Sequence, residues 1–96
     1  MKVRFVAAAE AGLDAILRYY EKQSPGLGAD FLDEVTSAVN QIAEFPDAWQ
    51  LLEPEIRRYR INRFPYGIVY TQRGNHIVVL AVAHLHQKPK RWHGNK

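Results

Sequence analysis

Residues 57–70 read RRYRINRFPYGIVY, and the fold turns on how this stretch divides. From Ile56 to Ile61, Tyr59 and Ile61 fall on one side and Arg58 and Arg60 on the other, the period-two pattern of a half-buried strand. NRFP then reads as a turn, because Pro65 has no N–H to give to a central ladder. Residues 66–72, YGIVYTQ, resume the alternation with Tyr66, Ile68 and Tyr70 on one face. Gly74-Asn75 marks a second turn. HIVVLAVAH, residues 76–84, is almost continuously apolar, as expected of a well-buried strand. Together these segments predict an antiparallel meander.

The first half supplies what covers it. Residues 2–6, KVRFV, alternate Val3 and Phe5 with Lys2 and Arg4 and predict a short strand that joins the sheet after a helical excursion. In AAAEAGLDAILRYYEKQ, Leu13, Ile16, Leu17 and Tyr20 share one helical face. Ser24-Pro25 reads as the start of a second helix, serine capping the free amides and proline suiting the first turn. That helix runs to about Ala43 with Leu27, Phe31, Val35, Ala38, Val39 and Ile42 as its apolar stripe, and Phe45-Pro46 ends it. Residues 47–55, DAWQLLEPE, form a connector. The order β-α-α-β-β-β predicts an α+β fold, with a helical hairpin packed on one face of a twisted antiparallel sheet and the other face partly open. The 96 residues form one domain, 1–96, of which 85–96 is a basic C-terminal tail.

Charge is segregated along the chain. Residues 1–55 carry four basic and ten acidic side chains, net −6; residues 56–96 carry nine basic and none acidic, net +9. A stretch without a carboxylate cannot neutralise itself, so its cations either pair with the acidic half or meet an anionic partner. Arg57, Arg58, Arg60, Arg63, Arg73, Lys88, Lys90 and Arg91 are the candidate binding residues for nucleic acid or protein, expected to gather on one exposed surface. Arginine suits this role because its planar fork matches phosphate and carboxylate oxygens. Core packing is the ordinary role of Tyr66 and Tyr70, although interleaved tyrosines can also stack on unpaired bases. Trp49 is placed to cover the edge of the core, and Trp92 to anchor the tail.

Other chemistries find little support. Cysteine is absent, which removes disulfides and thiolate chemistry and fits a reducing cytoplasm. Phosphate-binding glycine loops and HExxH are missing, so neither a cofactor nor a metal is expected. His84-Leu85-His86 puts two imidazoles on one strand face without a carboxylate in that half to complete a metal site. The N-terminal segment is neither a signal peptide nor a spanning helix, and no membrane association is expected. Metal-free RNA cleavage would need a base, an acid and cations around the phosphate. His84 is the candidate acid or base, Arg58 and Arg60 the candidate cations, and Glu53 or Glu55 the second proton-transfer group if the connector folds over the sheet.

FP at 45–46, RRYRINRFPYGIVY at 57–70, and IVVLAVAH at 77–84 followed by Lys88-Pro89 and Trp92 resemble the RelE/ParE superfamily of bacterial toxins, often labelled plasmid-stabilisation proteins. The resemblance spans almost the whole chain. It implies a cytoplasmic, growth-inhibiting toxin of a type II toxin–antitoxin module, held as a monomer or dimer within a complex with a cognate antitoxin. ParE-like members poison DNA gyrase; RelE-like members cleave mRNA on the ribosome. Ribonuclease members keep basic residues where Arg58, Arg60 and Arg63 stand, and some carry a histidine where His84 stands, with a tyrosine nearby. Here position 85 is leucine, and a full acid–base set is not evident, so gyrase is the first expectation. Ribosome-dependent mRNA cleavage is the second, and a non-toxic RNA-binding module the third.

Overall fold

The computed structural model describes residues 1–86. Seven elements follow one another: β1 (Lys2–Phe5), α1 (Ala7–Gln23), α2 (Leu27–Glu44), β2 (Gln50–Glu53), β3 (Ile56–Arg60), β4 (Tyr66–Arg73) and β5 (His76–His84). The strands form one sheet in the order β1-β5-β4-β3-β2. The helical hairpin lies on one face of it, as the apolar stripes predict.

Two features of the sheet differ from the expectation. The connector contains a strand, β2, which pairs antiparallel with β3 through the two-residue turn Pro54-Glu55. Also, β1 runs parallel to β5, so the sheet is mixed. The first strand lies along the edge of β5 rather than that of β2.

The core lies between the helices and the sheet. Phe31, Val35, Ala38 and Ile42 recur at helical spacing along α2 and are buried against Ile61, Phe64, Ile68, Tyr70, Ile77, Val79 and Val82. Leu13, Ile16, Leu17 and Tyr20 of α1 pack around this cluster, as do Val3 and Phe5 of β1. Four rings meet at one end: Phe31 lies 5.0 Å from Phe64 and 5.4 Å from Tyr66, and Tyr20 lies 4.9 Å from Phe64. These are the tilted and edge-on contacts that aromatic quadrupoles favour. Tyr19 is exposed, its ring meeting the edge of Tyr20.

The joint between the helices is built differently from the expected serine cap. Ser24 closes α1, and α2 starts after Gly26, which sits at φ 89°. The carboxylate of Glu21 accepts hydrogen bonds from the backbone N–H groups of Gly26 and Gly28 at 3.0–3.1 Å. A side chain reaching back from the preceding helix thus satisfies two amides that α2 leaves free. Gly28 is needed there, since a Cβ would stand 2.9 Å from the carbonyl oxygen of Leu17.

Candidate partner-binding face

The side of the sheet away from the helices carries the cations. Strand alternation and register put Arg58 and Arg60 of β3 on this face, opposite Val69 and Gly67 of β4. Arg73 of β4 joins them, and so do Lys2 and Arg4 of β1, whose neighbours Val3 and Phe5 point into the core. The floor between them is aliphatic: Ile56, Val69 and Ala83 are buried there with Leu52, Leu80 and Ala81 packed around them. Lys2 and Arg4 were missed in the sequence because they belong to the acidic half, although the KVRF alternation carried the signal.

Arg58 is held in place. A Cβ on Gly67 would come within 2.8 Å of its Cγ and Cδ, so the aliphatic stem lies in the gap that the absent side chain leaves. Its Nη2 donates to the Gln50 side-chain oxygen at 2.9 Å, and its Nε is buried with no hydrogen-bond partner among the described residues. Arg60 is exposed at the end of β3. At the other corner, Arg4 and Arg73 flank a concavity of about 300 Å³ floored by Ile56, Thr71, Val78 and Leu80, with Glu55 on its edge. Glu55 adopts φ 70°, and the Thr71 hydroxyl donates to its carbonyl at 2.6 Å. This is the left-handed turn position that usually favours glycine or asparagine.

Other expected members of the basic surface go elsewhere. Arg57 pairs in register with Tyr70, on the helix side, and its Nη1 donates to the Trp49 carbonyl at 2.8 Å. Arg63, in the β3–β4 turn at φ 73°, stands 3.5 Å from the Asp30 carboxylate of α2 and over the Phe64 ring. The expectation of one surface holding Arg57, Arg58, Arg60 and Arg63 is therefore corrected. Period two sends Arg57 to the other side, and the turn aims Arg63 at the hairpin. Lys88, Lys90, Arg91 and Trp92 lie outside the described residues.

His84 is also separated from Arg58 and Arg60. It pairs with Tyr66 and packs on that ring at 5.2 Å, on the helix side of the sheet. The cause is a β-bulge: Val69 pairs with Ala81 and Tyr70 with Val79, so Leu80 is an extra residue in β5. Ile77 and Val79 face the helices before the bulge, and Val82 and His84 after it. His84 Nδ1 accepts a 3.3 Å hydrogen bond from the His86 backbone, which leaves the proton of a neutral ring on Nε2. Among the described residues, no three His, Asp or Glu side chains gather closely enough to hold a metal ion.

A second concavity of about 470 Å³ opens where the chain leaves α2, lined by Asp47, Leu51, Glu55, Arg57, Tyr70 and Gln72 among others. The Tyr70 hydroxyl donates to the Pro46 carbonyl at 2.7 Å, and burial pushes its pKa up to about 12, against the opposing pull of Arg57. Burial likewise raises the phenols of Tyr20 and Tyr66. Trp49 covers the core edge, its ring 4.6 Å from Tyr59.

A helical hairpin on one face of a small mixed sheet, with a cationic open face, defines an α+β domain. The family described as "ParE toxin of type II toxin-antitoxin system, parDE" matches residues 3–89, and the chain belongs to it. A solved structure from the chromosomal ParDE toxin–antitoxin system of P. aeruginosa has the same fold, with a TM-score of 0.70 at 20% identity. The match covers 88% of this chain and 95% of that one. No curated protein matches the sequence.

Proposed function

We propose that this chain is the toxin of its pair, that it arrests growth by acting on DNA gyrase in the cytoplasm, and that a cognate antitoxin neutralises it. Family membership supports the toxin–antitoxin part. The observation that favours gyrase over RNA cleavage is the position of His84. Its imidazole and the guanidinium groups of Arg58 and Arg60 lie on opposite sides of the sheet. Among the described residues, a phosphate held by Arg58 and Arg60 would face neither His84, on the other side of the sheet, nor His76, which pairs with Arg73 at the far end of β4.

Ribosome-dependent mRNA cleavage is the second reading, and one feature favours it. Glu55 shares the Arg4–Arg73 concavity, where a carboxylate base would stand beside two cations. Induced expression with parallel readout of plasmid topology and mRNA 5′ ends separates the readings. Gyrase action gives growth arrest with nicked or relaxed plasmid and intact messages. Cleaved messages with normal topology would replace it with the RelE-like reading, and RNA binding without growth arrest would leave only a binding module.

A further inference from the structure

Arg57, Arg58 and Arg63 each have a partner within the chain: the Trp49 carbonyl, Gln50 and Asp30. Four basic side chains at one corner of the open face do not. Among the described residues, Lys2, Arg4, Arg73 and His76 make no ion pair, and all four are exposed. The register gathers them. Lys2 of β1 pairs with His76 of β5, and His76 pairs with Arg73 of β4, so three basic side chains stand in one row across adjacent strands. That row spans two strand spacings, about 10 Å. The next row on the same face, about 7 Å along the strands, is Arg4, Val78 and Thr71. Cross-strand neighbours that support a sheet are opposite charges or aromatic and β-branched pairs, and the first row contains neither. Arg4 and Arg73 also flank the concavity of about 300 Å³ floored by Ile56, Val78 and Leu80. Of the ten acidic side chains, only Glu55 lines it.

We infer that this corner binds linked phosphates, either the phosphate chain of a nucleotide or neighbouring phosphates of a nucleic-acid strand. Lys2, Arg4, Arg73 and His76 hold the phosphates, and the attached nucleoside lies on the aliphatic floor of the concavity. The donors fit this chemistry by kind. Arg4 and Arg73 offer planar forks that match phosphate oxygens two at a time, and Lys2 adds a compact point charge. His76 contributes a ring N–H, which a neutral imidazole also carries. One carboxylate fills one guanidinium fork. Linked phosphates place several charged oxygens on a single ligand, as four basic groups around one concavity require. About 300 Å³ is the lower end of the range for small-molecule pockets, enough for a nucleoside lying partly in the open. Glu55 on the edge opposes the anion and so limits its affinity. The inference goes beyond the toxin reading and holds whichever target the toxin takes.

The test is titration calorimetry of the full chain with four probes, without divalent cations: pyrophosphate, ATP, a short oligo-deoxythymidine and a capped tetraglutamate peptide. The variants are Arg4→Gln/Arg73→Gln, His76→Gln and Glu55→Gln, with Arg18→Gln on α1 as control. The expected result is saturable binding of the phosphate probes, weakened about tenfold or more in the double variant and less in His76→Gln. Glu55→Gln should tighten binding about threefold, and the control should match wild type. Thermal midpoints without ligand should stay near wild type in every variant, since all the altered side chains are exposed. With that variant pattern in place, ATP binding tighter than the oligonucleotide identifies a nucleotide as the source of the phosphates, and the reverse order identifies a nucleic-acid strand. Failure of all three phosphate probes to saturate, equal binding by the double variant, or tetraglutamate binding as tightly as pyrophosphate would each overturn the inference. None of these outcomes bears on growth arrest, plasmid topology or message cleavage, so the toxin reading stands or falls separately.

Discussion

The two faces of the sheet are made from the same strands and do opposite work. The side beneath the helices is aromatic and closed: Phe31, Phe64, Tyr66 and Tyr70 fill it, and the Tyr70 hydroxyl is tied to Pro46, although Trp49 Nε1 is buried with no hydrogen-bond partner among the described residues. The open side is aliphatic and rimmed by cations, with two of its arginines, Arg4 and Arg73, bordering a concavity. Burial drives folding, so the first face carries the stability. The second can lose charges at little cost to the fold, so it is free to serve recognition. The difference teaches that in a domain this small one face must supply nearly all the core, and chemistry is confined to the other.

The comparison is broken most severely by emptying the closed face. Phe31→Ala removes a fully buried ring that touches Tyr20, Phe64 and Tyr66, and should cost about 3–5 kcal/mol in denaturant unfolding. Gly28→Ala follows, at about 1–3 kcal/mol, because its new Cβ meets a backbone carbonyl that cannot yield without separating the helices. Tyr70→Phe leaves the Pro46 carbonyl without its donor and should cost about 1–2 kcal/mol. The same residue predicts a pH effect. Its pKa rises on folding from 10.0 to about 12, so the native state holds the proton more tightly and stability falls as pH rises through that window. Denaturant midpoints at pH 9 and 12 should show a smaller loss in Tyr70→Phe than in wild type.

Open-face changes sharpen the contrast from the other side. Arg58→Glu/Arg60→Glu should leave the thermal midpoint near wild type yet slow association with an acidic partner about tenfold at low salt, the difference narrowing as salt is added. Unchanged association kinetics would remove Arg58 and Arg60 from the binding face. Smallest of all is Arg63→Ala. Its ion pair with Asp30 joins side chains 57% and 48% exposed, and stability should change by less than about 0.5 kcal/mol.

Much of this was legible because period two and period 3.6 are written directly into residue order. Tyr59 and Ile61 inward with Arg58 and Arg60 outward, and the α2 stripe from Phe31 to Ile42, needed no coordinates. What escaped depends on relations that no local window contains. The parallel pairing of β1 follows from where two helices deliver the chain, so Lys2 and Arg4 could not be placed beside Arg73. Glu21 caps α2 from a different helix. Counting arginines in 57–63 ignored that Arg57 is out of phase with Arg58, and that a residue at positive φ in a turn obeys no alternation. The bulge in β5 was invisible because HIVVLAVAH is apolar on both sides of the pleat, so an extra residue leaves no break in the pattern.

That extra residue has an outsized effect on chemistry. In a strand of perfect regularity, His84 would stand an odd number of steps from Val79 and emerge among the guanidinium groups, where an imidazole beside bound phosphate invites cleavage. Leu80 shifts the count by one and turns the ring toward Tyr66 instead. The parity of a single strand thus decides whether the imidazole of His84 stands beside Arg58 and Arg60 or behind them, and it does so without altering any charged side chain.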